Sequence, residues 1–177
     1  MEKSRWPAGG GEAGELIRGF YWSATSVGAV ERWPERLRTL VELVLMNPAA
    51  SALVWGPEGL LIYNDRYASI CGSRHPHALG ISLRDAGPEA WGFDRNMLES
   101  CRSGIPQIFR DAHFILEREG VLRESWFDLY YAPVCDNGEH FEVVLATVVE
   151  ITDRMRTEQA REAHAIELQR LSTELDT

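Results

Sequence analysis

Residues 141–149, Phe-Glu-Val-Val-Leu-Ala-Thr-Val-Val, constrain this chain more than any other stretch. In an extended strand successive side chains point to opposite faces. Phe141, Val143, Leu145 and Val149 therefore fall on one side, and Val144, Ala146 and Val148 on the other. A sheet wet on one face alternates apolar with polar residues, so a strand that is apolar on both faces is covered on both. The run calls for short core helices against one face and a flanking helix or a partner subunit against the other.

The rest of the sequence supplies the pieces. Two more strand-like runs, Ile108 to Leu116 and Glu124 to Val134, precede it, with turns at Glu119-Gly120 and Asp136-Asn137-Gly138, which predicts three antiparallel strands. Upstream, Ser51 to Trp55 and Leu60 to Tyr63 flank Gly56-Pro57-Glu58-Gly59, a hairpin signature. Asn64 suits the N-cap of a short helix from Asp65 to Ile70, because its side-chain oxygen can accept a free amide of the first turn. Residues 71–80, with two glycines and a proline, read as loop and single helical turns. Pro88 to about Ser103 reads as a helix, with Glu89 in its first turn, Gly104 and Pro106 past its end, and Trp91, Met97, Leu98 and Cys101 as its apolar side.

Two further helices flank this set. Trp33-Pro34 opens the first, with Leu37, Leu40, Val41, Val44 and Leu45 at helical spacing and Asn47-Pro48 as the stop. Its apolar stripe faces either a sheet or a second copy of itself. The second runs from Thr152 to the end of the chain, charged, with Met155, Ala163, Ile166, Leu168, Leu171 and Leu175 as apolar positions whose heptad phase slips, leaving a coiled coil open. The expected division is a mostly flexible arm over 1–30, an amphipathic helix over 31–48, a core over 49–151 and a C-terminal helix over 152–177.

Composition narrows the function classes. A formal net charge of −9 repels phosphate backbones and anionic lipid, so no nucleic-acid partner is expected. Three widely spaced cysteines, Cys71, Cys101 and Cys135, indicate neither a disulfide framework nor a zinc ribbon, and fit a reducing cytoplasm. No apolar run approaches the ~20 residues of a membrane helix, and the start lacks a signal-peptide core, so no membrane insertion is expected. Gly9 to Gly14 satisfies Gly-x-Gly-x-x-Gly, but no apolar strand precedes it, so it reads as a spacer rather than a dinucleotide site. Nucleophile-elbow, phosphate-loop and zinc-protease motifs are absent, so these residues are not expected to form an enzyme.

The order helix, two strands, short helices, longer helix, three strands and exit helix resembles the PAS fold, an α+β arrangement with a five-stranded antiparallel sheet. Particular residues add to it. Trp55-Gly56-Pro57-Glu58-Gly59, then Leu61-Ile62-Tyr63-Asn64-Asp65 and Tyr67-Ala68, is similar to a segment of a PAS subfamily found in bacterial sensor histidine kinases. Arg74-His75-Pro76 before Ala78-Leu79-Gly80, Leu116-Glu117-Arg118 with Gly120, Tyr130-Tyr131-Ala132-Pro133-Val134, and Glu150-Ile151-Thr152-Asp153-Arg154 follow in the same order, over roughly Trp22 to Arg154.

The resemblance implies a cytoplasmic sensory domain of a two-component phosphorelay. It would form a homodimer through its flanking helices and report to an effector kinase or regulator in cis or in trans, with Glu150, Thr152 and Asp153 as the relay at the strand–helix junction. If the chain is part of a longer protein, the parent would be a sensor histidine kinase. A ligand-free dimerisation module is the alternative, and a flavin or haem sensor a further one. No flavin-type Asn-Cys-Arg-Phe motif occurs, and Pro88 to Ser103 contains no histidine to ligate haem iron, so no cofactor is expected. Cys71, His75 and His77 could offer thiolate and imidazole to a metal but lack a fourth ligand nearby, so no metal is expected either. His113 and His140 read as strand and turn residues, and His164 as part of a solvated helix face. For an unknown small molecule, the pocket candidates are Tyr63, Trp91, His113, Trp126 and Tyr130, which read equally as plain core.

Overall fold

The computed structural model describes residues 6–136 and 140–175. In chain order it holds α1 (Gly11–Gly19), α2 (Glu35–Met46), β1 (Ala50–Trp55), β2 (Leu60–Tyr63), α3 (Asp65–Cys71), α4 (Leu83–Ala86), α5 (Trp91–Arg102), β3 (Gln107–Arg118), β4 (Val121–Asp136), β5 (His140–Glu150) and α6 (Thr152–Leu175). Single 3-10 turns at Trp22–Ala24, Val30–Arg32 and Gly72–Arg74 complete it. The expected turn at Asn137-Gly138 and the last two residues of the exit helix lie outside the described residues.

The five strands form one antiparallel sheet in the order β2-β1-β5-β4-β3. β5, the strand apolar on both faces, is the middle one. Its Val144, Ala146 and Val148 pair with Pro133, Tyr131 and Leu129 of β4 and share with them the face that α3, α4 and α5 cover. On the opposite face, α2 lays Leu37 and Leu40 beside Trp55 and Val143, so a flanking helix covers this part of the sheet. The cover is incomplete. Ile108, Ile115, Leu122 and Val149 stay exposed.

The β1–β2 hairpin and the Asn64 cap form as the sequence predicts. Asn64 is buried, and its Oδ1 accepts from Tyr67 N at 3.0 Å, capping α3, and from Ser51 N at 3.1 Å. Its Nδ2 donates toward Val44 O, Asn47 O and Ala49 O, at 3.0, 3.1 and 2.8 Å. One amide thus joins the end of α2, the entry to β1 and the start of α3. At the β3–β4 turn, Glu119 and Gly120 both take positive φ, 53° and 76°, the paired left-handed geometry of a tight two-residue hairpin.

Two expectations need correction. α5 begins at Trp91, not Pro88, because Ala90 N bonds Gly87 O and Trp91 N bonds Pro88 O, i to i+3 contacts that make residues 87–91 a tight turn. The N-terminal segment beyond residue 5 is packed against the fold instead of lying as a loose arm. Asp65 is the reason: its carboxylate accepts from Ala13 N at 2.7 Å and Glu12 N at 3.2 Å, capping α1 from α3. Ala13, Ile17 and Trp22 are buried, and Trp33 meets Trp6, Trp22 and Trp55 edge-on at 5.7, 5.0 and 5.2 Å between centroids. Such pairs contribute about 0.5–1.5 kcal/mol each beyond burial. The glycines read as a spacer serve close approach, since a Cβ on Gly14 would stand 2.0 Å from Gly9 O.

Candidate functional site

Between the sheet and helices α3–α5 lies a cavity of about 120 Å³, partly open to solvent. Its floor is apolar: Phe114, Leu116, Phe127, Leu129 and Val148. The polar groups sit on the helical side and at the mouth. Arg74 reaches across the mouth to Glu89 Oε1 at 2.5 Å and to Ala86 O at 3.1 Å, tying the loop after α3 to the turn before α5. Asp94, Cys71, Tyr67 and Tyr131 also line the space.

Burial governs their ionisation. Desolvation, with the Glu89 charge second, pushes Asp94 up to about 7. The Cys71 thiol is pushed up to about 12 by burial, only partly countered by Arg74, so it stays protonated rather than nucleophilic. Tyr67 and Tyr131 are raised by burial as well. The cavity therefore holds neutral donors and one carboxyl poised near neutrality. An engineered cavity of ~150 Å³ takes up benzene, so the three fused rings of a flavin do not fit this space as it stands.

A second cluster sits where β5 passes into α6. Trp126 N donates to Thr152 Oγ1 at 3.1 Å, and Ile151 N donates to Trp126 O at 2.8 Å. Thr152 Oγ1 donates to Glu150 Oε1 at 2.8 Å, while Arg118 holds Glu150 Oε2 at 3.1 Å. Arg154, in the first turn of α6, pairs with Asp111 at 3.0 Å. Asp111 marks the β3 bulge, with φ of 52°, and its backbone N bonds the buried Asp128 at 3.0 Å. Of the three expected relay residues, Glu150 and Thr152 come together here, while the Asp153 side chain points to solvent in the first turn of α6.

None of the five pocket candidates lines the cavity. Tyr63 is fully buried but turned to His75, whose Nδ1 lies 3.0 Å from its hydroxyl. Trp91 is half-buried at the start of α5. His113 and Trp126 stack on each other at 4.7 Å, and Tyr130 lies beneath Arg110, all three on the other face of the sheet. The reason is parity: Phe127, Leu129 and Tyr131 face the cavity, so Trp126 and Tyr130 cannot. Asp94 escaped sequence reading, although a signal existed, since it precedes Met97, Leu98 and Cys101 by three, four and seven residues and so shares their apolar stripe. Cys71 lines the cavity without the two histidines weighed beside it, because His75 is engaged by Tyr63 and Glu12 and His77 is exposed. Among the described residues no group of three or more His, Cys, Asp or Glu is placed to hold a metal ion, and no helix is long and apolar enough to cross a membrane.

No protein-family model matches the sequence, and no curated protein sequence does. Solved structures do. The PAS domain from Bordetella pertussis BvgS aligns at 18% identity with a TM-score of 0.53, over 77% of this chain and 99% of that one. A LOV protein from Rhodobacter sphaeroides aligns at 16% identity and 0.54, over 75% of this chain and 77% of that one. An RNA-binding light-oxygen-voltage receptor aligns at 16% identity and 0.52 over 80% of this chain, which spans only 41% of that receptor. At such identities the likeness is one of architecture. With its antiparallel 2-1-5-4-3 sheet, its short helices over one face and its helix leaving from the last strand, this chain adopts the PAS fold.

Proposed function

We propose that the chain is a sensory module that dimerises through α2 and α6 and reports the state of its cavity, or of a bound partner, to a histidine-kinase effector of a two-component system. One observation carries this reading. Trp126 gives both its backbone N and its backbone O to the start of α6, while its neighbours Phe127 and Leu129 line the cavity. Anything that displaces β4 from within strains the two bonds that set where α6 begins. A ligand acts this way only as far as it binds the two arrangements unequally. The dimer is supported by apolar side chains left in water on both flanking helices: Leu43 and Met46 on α2, and Ile166, Leu168, Leu171 and Leu175 on α6.

The test uses a Leu129→Trp variant as a stand-in for occupancy. Hydrogen exchange over residues 152–158 is expected to change relative to the wild type, and the change is expected to vanish when Thr152→Val is added. Unchanged exchange in the single variant would remove the relay. A species that stays monomeric in sedimentation at millimolar concentration would remove the dimer, and a coding region without a kinase or response regulator in or beside it would count against the effector.

A second reading, a ligand-free assembly module, is favoured by the exposed Ile108, Ile115 and Leu122 on the uncovered part of the sheet. It predicts self-association that Ile115→Lys abolishes while cavity substitutions leave it unchanged.

A further inference from the structure

Asp94 is the anomaly of the cavity. A carboxyl is rarely buried without a partner, because it gives up water and gains nothing in return. Asp94 is 8% exposed, yet its carboxyl has no hydrogen-bond or ion-pair partner among the described residues. The other charged groups at the mouth are engaged. Arg74, the one basic side chain among the lining residues, is held by Glu89 and Ala86 O. Glu117 accepts from Ser73 Oγ at 2.9 Å and from Gly120 N at 3.2 Å. Once Arg74 and Glu89 cancel, the formal charges left around the space are negative only. The walls then add the faces of Tyr67, Phe114, Phe127 and Tyr131, which attract cations through their quadrupoles.

We infer that the cavity accepts a small organic cation, an alkyl- or arylammonium, whose N–H pairs with the Asp94 carboxylate while its apolar body lies on Phe114, Phe127 and Leu129. This rests on the reading of the cavity as the sensory site and gives it a ligand class. The charge pattern disfavours the alternatives one by one. An anion meets a field of its own sign. A neutral alcohol of the same shape fills the space but leaves the carboxylate uncompensated. At about 120 Å³, against the ~150 Å³ that holds benzene, the fit is for roughly half a dozen heavy atoms. Asp94 answers to groups on every wall: Tyr67 and Cys71 from α3, Arg74 and Glu89 from the mouth, Tyr131 from β4. An ammonium beside it reverses the effect of burial and restores the ionised acid.

Calorimetric titration of the full chain tests this with two isosteric sets: butylammonium, butanol and butyrate; benzylammonium, benzyl alcohol and benzoate. The ammonium of at least one set is expected to bind at least tenfold more tightly than its alcohol, with the carboxylate weakest. In Asp94→Asn, whose side chain is isosteric and whose fold is checked by circular dichroism, the ammonium is expected to lose that tenfold advantage while the alcohol binds as before. Equal binding of alcohol and ammonium, or an unchanged preference in Asp94→Asn, would overturn the ligand class and leave the cavity standing as a site. Absence of binding by all six probes would overturn both.

Discussion

Replacing Thr152 by valine keeps the shape of the side chain and removes its oxygen alone. Thr152 and Trp126 are 7% and 8% exposed, so water does not substitute freely at the junction. The variant leaves Trp126 N, now 3.1 Å from Thr152 Oγ1, without an acceptor, and an unmet buried donor costs about 1–3 kcal/mol. Glu150 loses a donor too. It keeps Arg118 at 3.1 Å and stays partly in solvent, so that loss adds little. A destabilisation of roughly 2 kcal/mol is expected, which lowers Tm by about 4–8 °C for a chain of this size. Thermal and urea unfolding of the wild type, Thr152→Val and Thr152→Ser measure it. Serine retains the hydroxyl and is expected to recover more than half of the loss, while amide exchange at Trp126 rises in the valine variant alone. If valine unfolds with the wild type, or serine is as damaging as valine, the junction is not held by this oxygen.

Three more outcomes follow from buried groups. Asn64→Asp is expected to destabilise more than Asn64→Ala in urea titrations, because a carboxylate would face the carbonyls of Val44, Asn47 and Ala49 that the amide now serves, whereas alanine only leaves them unmet. Gly14→Ala drives a Cβ into Gly9 O, which as backbone cannot yield, so proteolysis within residues 6–24 is expected to accelerate while the sheet stays protected. The folded chain holds the Asp94 proton up to about pH 7, against ~3.9 unfolded. That stability is full below ~4 and is lost as pH climbs through 7, so Asp94→Asn is expected to gain about 2–4 kcal/mol on the wild type between pH 4 and 8. Parallel wild-type and variant stabilities across that range would refute the burial of an acid here.

What the sequence disclosed and what it hid divide along one physical line. β5 was legible because its valines are local and its alternation needs no knowledge of partners. The Asn64 cap was legible because an N-cap acts within three residues. α1 was not, since its order depends on Asp65, more than fifty residues downstream, and on tryptophans that meet only after the chain has folded. Composition alone cannot distinguish a glycine that loosens a chain from one that lets Gly14 approach Gly9 O. The cavity fell between the two cases. The candidates Trp126 and Tyr130 lie on the strand that floors the cavity but on its other face, and only the pairing of Leu129 with Val148 and Tyr131 with Ala146 decides which parity faces the helices.

The 24 residues of α6 span about 36 Å, and every residue described after Met155 is solvent-exposed. Such a rod acts as a lever with its fulcrum at Thr152. A tilt of roughly 10° at the fulcrum would sweep the far end through about 6 Å over that length. If α6 relays the state of the cavity as proposed, the small displacements that a cavity of this size can generate would be read out magnified, and the distal leucines would travel farthest.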